Sequence, residues 1–216
     1  MNSSTEKTWR LRLQCFDGPT ALAFERRRLI GSVLKPAEFR TSLEFPNTLG
    51  WAPTSAFRRS YLLLQSLWAT LLRRYNREHH ALFGASLDVE SDVIGSPPLP
   101  IAVQGSDGES FINLFERISA IHDELSEMRL DSLEAIHGWS GFPQNTPLFE
   151  SAVGIIDSRE QYDELFNSPI WQELPISLLV CRKSVADLTI RYDSSRFERN
   201  AIQRLTGHLQ TLLTSV

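Results

Sequence analysis

No stretch of this 216-residue sequence approaches the roughly 18 consecutive apolar residues that suggest a membrane-spanning helix. The start, Met1-Asn2-Ser3-Ser4-Thr5-Glu6, is polar and does not look like a cleavable leader. The expectation is therefore a cytoplasmic chain that makes no membrane contact. A basic excess is also missing: 22 Lys and Arg stand against 26 Asp and Glu, giving a net charge of -4 and a pI near 5.8. Nothing here attracts nucleic acid or anionic lipid in general, since that needs clustered positive charge. Cysteine is scarce. Cys15 and Cys181 supply neither a disulfide framework nor close metal-ligand spacing and read as reduced thiols in or near a core. No glycine-rich phosphate loop occurs, which argues against a nucleotide site and predicts no bound cofactor. Repeats, low-complexity tracts and long linkers are absent too, so residues 1–216 read as one domain.

What is present has the balance of an ordinary globular protein, 42% hydrophobic and 22% charged, in a length that can bury a real core. After a cap at Thr54 or Ser55, Phe57, Tyr61, Leu64, Trp68, Leu71 and Tyr75 recur at steps of four and three and predict a helix. Leu62, Leu63, Leu67 and Leu72 widen its apolar stripe, so it should touch structure on two sides. Arg73, Arg74 and Arg77 fall in its last turn, at the negative end of the helix dipole. A strand from about Ala81 to Val89 and another around Leu99 to Val103 follow, the latter broken off by Gln104-Gly105-Ser106-Asp107-Gly108. Phe111, Leu114, Phe115, Ile118, Ile121 and Leu125 mark a second amphipathic helix. Ile176 to Cys181 is nearly continuous in apolar residues, as suits a strand covered on both faces. Leu188, Ile190 and Tyr192 alternate with polar residues and predict a strand with one wet face, joined to the previous one by a hairpin at Lys183 to Ala186. Phe197, Ile202, Leu205, Leu209, Leu212 and Leu213 close the chain at helical spacing. Mixed in this way, helix and strand predict an α/β or α+β two-layer sandwich.

Four stretches carry a family resemblance, and they stand in the family's order over nearly the whole chain. They are Trp9-Arg10-Leu11-Arg12-Leu13 with Phe16-Asp17-Gly18-Pro19-Thr20; Leu64 to Tyr75 with Phe83-Gly84; Leu133 to Gly141 with Pro147-Leu148-Phe149-Glu150-Ser151; and Leu188 to Asp193 with Arg196-Phe197 and Leu205 to Leu213. Together they resemble the carboxyl-terminal lobe of a nonribosomal peptide synthetase condensation domain. The resemblance implies one lobe of the chloramphenicol-acetyltransferase-like, CoA-dependent acyltransferase fold.

The chemistry of that family rests on two adjacent histidines followed three residues later by Asp-Gly, in the lobe that should precede Trp9. That motif is absent. His79-His80 is followed by Ala81-Leu82-Phe83-Gly84, and the nearest later Asp-Gly, Asp107-Gly108, lies in another loop. A general base must lie within hydrogen-bond reach of its proton, so the pair reads instead as a helix C-terminal turn, with imidazoles near the last carbonyls. Gly138-Trp139-Ser140-Gly141 fails the Gly-x-Ser-x-Gly spacing of a nucleophile elbow and predicts a tight turn. His122 and His137 lack partners at ligand spacing. Arg26-Arg27-Arg28, balanced by Glu25 and Glu38, reads as a solvated face, with anion steering as its functional alternative. No catalytic, cofactor or metal residue is thus assigned.

After Phe83-Gly84 the family runs through a longer segment that crosses to the first lobe; here Ala85 to Gly95 is clipped and Ser96-Pro97-Pro98 replaces the family's motif. That shortening leads to the expectation that the missing lobe is a natural loss. The face it leaves must be polar, self-covered or buried in a partner, and Trp51, Pro97, Pro98 and Trp171, in loop-like stretches, are the candidate interface residues. The resemblance implies a non-catalytic interaction module. It would support a following adenylation domain, with a phosphopantetheinyl carrier protein and a second copy of the chain as further candidate partners. Two rival readings are half of a split enzyme completed by a histidine-bearing lobe, and a stand-alone partner-binding protein.

Overall fold

The computed structural model describes residues 3–24, 33–45, 56–87, 97–106, 108–128, 132–156, 158–181 and 184–216, with backbone alone at 3, 56, 159 and 184–186. The elements in order are α1 (Ser3–Leu13), β1 (Pro36–Ser42), α2 (Ala56–Asn76), β2 (His80–Ala85), β3 (Leu99–Gln104), α3 (Phe111–Glu127) and α4 (Leu133–Ser140). They continue with β4 (Ser151–Ile156), α5 (Arg159–Leu165), α6 (Pro169–Glu173), β5 (Ile176–Cys181), β6 (Ser184–Asp193) and α7 (Arg199–Thr214). Among the described residues the strands form one six-stranded sheet in the order β1-β6-β5-β4-β2-β3. β4 runs parallel to β5 and to the end of β2, and every other pairing is antiparallel.

The long apolar runs go where both faces are covered. β4 is buried throughout and β5 along all but Cys181, the pattern expected of central strands between layers. In β6 Leu188, Ile190 and Tyr192 are buried while Asp187 is exposed, so the alternation does mark one wet face. α2 lies on the inner face of the sheet and packs against α3 and α7 as well as β2 and β6. This explains why its buried residues, from Tyr61 through Leu72, reach nearly around the helix. Two side chains pin α2 to β4: Trp68 Nε1 donates to Ser151 Oγ at 3.1 Å, and the Tyr61 hydroxyl donates to Val153 O at 2.8 Å, with Ser86 O at 3.0 Å.

On the opposite face, glycines admit large rings. A Cβ at Gly154 would lie 2.7 Å from Trp171 Cη2 and 2.8 Å from Leu179 Cδ2, and one at Gly84 would lie 2.7 Å from Phe149 Cε2. A smaller cover, made by Phe149 and α6, therefore backs the centre of the two-layer core. Near the start of β2, where β4 has not yet come alongside, Leu82 N donates to Thr20 Oγ1 at 2.7 Å. That hydroxyl satisfies a backbone group that would otherwise be buried and unpaired.

The strand expected from Ala81 to Val89 is β2, which ends at Ala85; Ser86 N still bonds Val153 O at 3.1 Å, and Asp88 and Val89 lie outside the described residues, as do Thr54 and Ser55. β5 and β6 do form an antiparallel pair, with a register shift at Val180 and Cys181; Ser184 to Ala186, expected in the connection, already belong to β6, and Lys183 lies outside the described residues. The two outer strands differ. β3 is buried from Leu99 to Val103; α3 packs on it, and Gln104 Nε2 donates to Arg12 O of α1 at 3.1 Å. In β1, Pro36, Arg40 and Ser42 are exposed.

Candidate interaction site

All five histidines lie among the described residues. α2 ends where Arg77 turns left-handed, with φ 56°, and Glu78 N bonds Arg73 O at 3.0 Å. This reversal sends the chain straight into β2. His79-His80 is consequently not a helix C-terminal turn: His79 O accepts from Gly105 N at 2.9 Å, and His80 opens β2 opposite Gln104. The His80 ring stands edge-on to Phe16 at 5.9 Å, with its Nδ1 buried and without a hydrogen-bond partner. His122 Nε2 lies 2.8 Å from Gln65 Oε1 between α3 and α2. Burial, aided by the charge of Arg58, lowers its pKa from 6.5 to about 3 and keeps it neutral. His137 Nε2 is 2.7 Å from Thr146 O, and His208 Nδ1 is 2.6 Å from the Tyr75 hydroxyl.

The other candidates of the sequence resolve in the same way. Gly138-Trp139-Ser140 is the end of α4 rather than an isolated turn, with Gly141 as its left-handed cap at φ 79°. Ser140 Oγ donates to His137 O at 2.8 Å and accepts from Phe142 N at 3.0 Å, a capping role. Arg73 is tied by Nη1 to Glu109 Oε2 at 2.9 Å, so it joins α2 to the turn before α3 besides meeting the helix dipole. Cys15 is exposed and Cys181 half-buried, both free thiols. Among the described residues no three His, Cys, Asp or Glu side chains gather to hold a metal, and no helix is long and apolar enough to cross a membrane.

Of the four candidate interface residues, two are corrected. Trp171 sits in α6, not in a loop, and is fully buried, because its ring fills the space left by Gly154. Pro98 is buried at the entry to β3, whereas Pro97 beside it is exposed. Trp51 and Arg26-Arg27-Arg28 lie outside the described residues. Of the three that are described, only Pro97 is exposed.

It does form a cleft of about 660 Å³ where β4 and β5 begin and β6 ends. Leu133, Phe149 and Leu174 give it apolar wall, and Glu134, His137, Glu150, Glu173, Asp193 and Arg196 give it polar groups. Arg196 is largely buried and its Nη2 donates to both carboxylate oxygens of Glu150, at 3.2 Å each. Asp193 accepts from Lys35 N at 2.9 Å, from Ser195 N at 2.9 Å and from Ser195 Oγ at 2.7 Å. Burial alone would raise its pKa, but these bonds and the nearby Arg196 hold the carboxyl below its ordinary value. The cleft therefore presents fixed charge beside apolar surface. The only histidine lining it, His137, already has Nε2 on a carbonyl. In the sequence Glu150, Asp193 and Arg196 stand out only as parts of a resemblance; the spacing Asp193-x-x-Arg196 next to the last strand is the available signal for a site.

No family model matches the chain. One polypeptide of the linear gramicidin synthase of Brevibacillus parabrevis is 27% identical over 98% of the chain, which spans 5% of that protein. A second polypeptide of the same synthase is 28% identical over 99% of the chain, spanning 3% of it. Chondramide synthase of Chondromyces crocatus is 27% identical over 69% of the chain and 4% of its own length. In three dimensions the starter condensation domain of rhizomide synthetase superposes with a TM-score of 0.71 at 16% identity, covering 98% of this chain and 52% of the other. The X-domain from teicoplanin biosynthesis, solved in complex with OxyB, gives 0.70 at 16% identity, again over 98% and 52%. The chain thus spans about half the length of these solved domains and a few per cent of the curated relatives. In fold the chain is like one half of a condensation domain, and in sequence it is similar to parts of nonribosomal peptide synthetases.

Proposed function

We propose that this lobe is a non-catalytic interaction module of a nonribosomal peptide synthetase, on which an adenylation domain rests and against which a phosphopantetheinyl carrier protein is oriented. The observation that carries the reading is the use of the histidines. The single adjacent pair, His79-His80, lacks the Asp-Gly that follows it in the family and is built into the start of β2. The remaining three bond Gln65, Thr146 and Tyr75. A general base needs a pKa near the working pH; burial holds His122 at about 3.

Two further points favour a partner-binding role. The homologous stretches lie inside much longer synthetase polypeptides, and the X-domain of the same fold was solved bound to another protein, OxyB. The cleft lined by Glu150, Asp193 and Arg196 is the surface best suited to an extended segment of such a partner.

The test is calorimetric titration of the purified chain with an adenylation domain and with an aminoacyl-loaded carrier protein, alongside an assay for amide product. Binding of either protein without amide formation supports the module. Amide synthesis by the chain alone overturns it, as does failure to bind both.

A further inference from the structure

β1 is an outer strand, paired only with β6 among the described residues. The direction of its backbone groups follows from one hydrogen bond. Ser194 N donates to Lys35 O at 2.8 Å, so Lys35 faces β6; because peptide groups alternate along a strand, Ala37, Phe39 and Thr41 face β6 as well. Asp193 N, bonded to Pro175 O at 2.9 Å, points the other way toward β5, as this parity requires. The N–H and C=O groups of Glu38, Arg40 and Ser42, with the carbonyl of Pro36, are therefore directed out from the edge of the sheet.

We propose that this edge pairs with the same edge of a second copy, antiparallel about a two-fold axis at Phe39, to give a homodimer with one continuous sheet. Parity restricts the choice, because outward-facing residues must lie opposite outward-facing residues. Centring the axis on Glu38 sets Glu38 against its own copy, and centring it on Arg40 sets Arg40 against its own copy; both put like charges face to face. Only the axis at Phe39 sets Glu38 opposite Arg40 twice, once on each side. It also places Pro36, which has no N–H, opposite Ser42, where its carbonyl still accepts. Glu38 and Arg40 already share a face, 2.9 Å apart between Oε2 and Nη2, with Arg191 next to Glu38 in register. Across the interface they continue as a four-charge ladder.

On the opposite face the same axis brings Phe39 beside its copy at a non-hydrogen-bonded pair, where side chains approach most closely. Phe39 is half-buried, with Arg199 of α7 5.3 Å from its ring centroid. Charges on an edge strand normally deter pairing with unrelated strands. Here their alternation deters others while admitting an identical partner. The inference does not depend on the proposed synthetase role.

Sedimentation equilibrium of the 216-residue chain, from micromolar to millimolar concentration, tests it. The wild-type chain is expected to dimerise. Glu38→Arg and Arg40→Glu are each expected to weaken the dimer by roughly tenfold or more, because each makes both cross-strand pairs like-charged. The decisive samples are an equimolar mixture of the two variants, and the double variant Glu38→Arg/Arg40→Glu: both restore opposite charges and both are expected to recover dimer. Should a single variant fail to fold by circular dichroism, Ser42→Pro, which removes one outward N–H, is expected to weaken the dimer instead. A wild-type chain that stays monomeric throughout overturns the proposal. So does a dimer indifferent to these changes, a mixture that fails to recover, or a monomer whose β1 edge is taken by a different protein.

Discussion

β3 and β1 border the same sheet, yet β3 is buried along five of its six residues while β1 shows Pro36, Arg40 and Ser42 to water. The closed border is apolar, packed by α3 and tied to α1 through Gln104 and Arg12. Its turn is locked from below: Glu109, whose side chain is 2% exposed, receives Arg73 at 2.9 Å and Arg117 at 2.7 Å, and Gly105 has no room for a Cβ, which would meet Arg73 and His79 O within 2.6 Å. The open border has charge where the other has cover. A sheet edge is a template for pairing, and among the described residues the two borders differ: one strand is buried, and the other is charged and partly exposed.

The largest expected contrast is in stability. Ile101→Ala, in the middle of β3 and fully buried, is expected to cost about 2–5 kcal/mol by urea unfolding. Thr41→Ala, on β1 and half-buried, is expected to stay within about 0.5 kcal/mol. Similar losses at the two sites would erase the distinction.

A second contrast appears with acid. In the folded chain burial pushes His122 from 6.5 down to about 3, so the unfolded state binds a proton that the folded state refuses. Its contribution is complete above about pH 6.5 and is lost as the pH falls toward 3, with a slope of up to about 1.4 kcal/mol per pH unit. Because His122 joins α3 to α2 and α3 covers β3, acid should loosen the closed border first. Urea midpoints measured across this range should show the slope, and His122→Leu should flatten it.

The smallest effect is local. Amide hydrogen exchange at low protein concentration should be fast at Glu38, Arg40 and Ser42 and slower at Ala37, Phe39 and Thr41, which bond β6. Uniform protection along β1 would contradict the assigned parity.

The elements with a long, regular apolar pattern were legible without coordinates: α2, α3, α7, β5 and β6 lie close to where periodicity puts them. α1, β1, α4, α5 and α6 do not show as elements in the sequence, for identifiable reasons. α1 and β1 are largely polar along their length, so burial leaves little trace in them. α4 to α6 have only 8, 7 and 5 residues, too few for a helical period to emerge. β4 is hidden because Gly154 interrupts its apolar run, and the cause is a distant ring, Trp171. That same pairing defeats the reading of Trp171 as an interface residue: a tryptophan near prolines and polar residues looks exposed until the glycine that receives it is known. The cleft of Glu150, Asp193 and Arg196 joins residues far apart in the chain, and no local pattern reports such a meeting.

Tyr61 holds the point where the chain leaves β2, its hydroxyl against Val153 O and Ser86 O. Burial raises its pKa well above that of an ordinary phenol, so acid or mild base leaves this clasp fastened. The end of β2 is accordingly fastened to α2 at Ser86. A load placed on the end of β2 would therefore pass through Tyr61 to the long helix beneath.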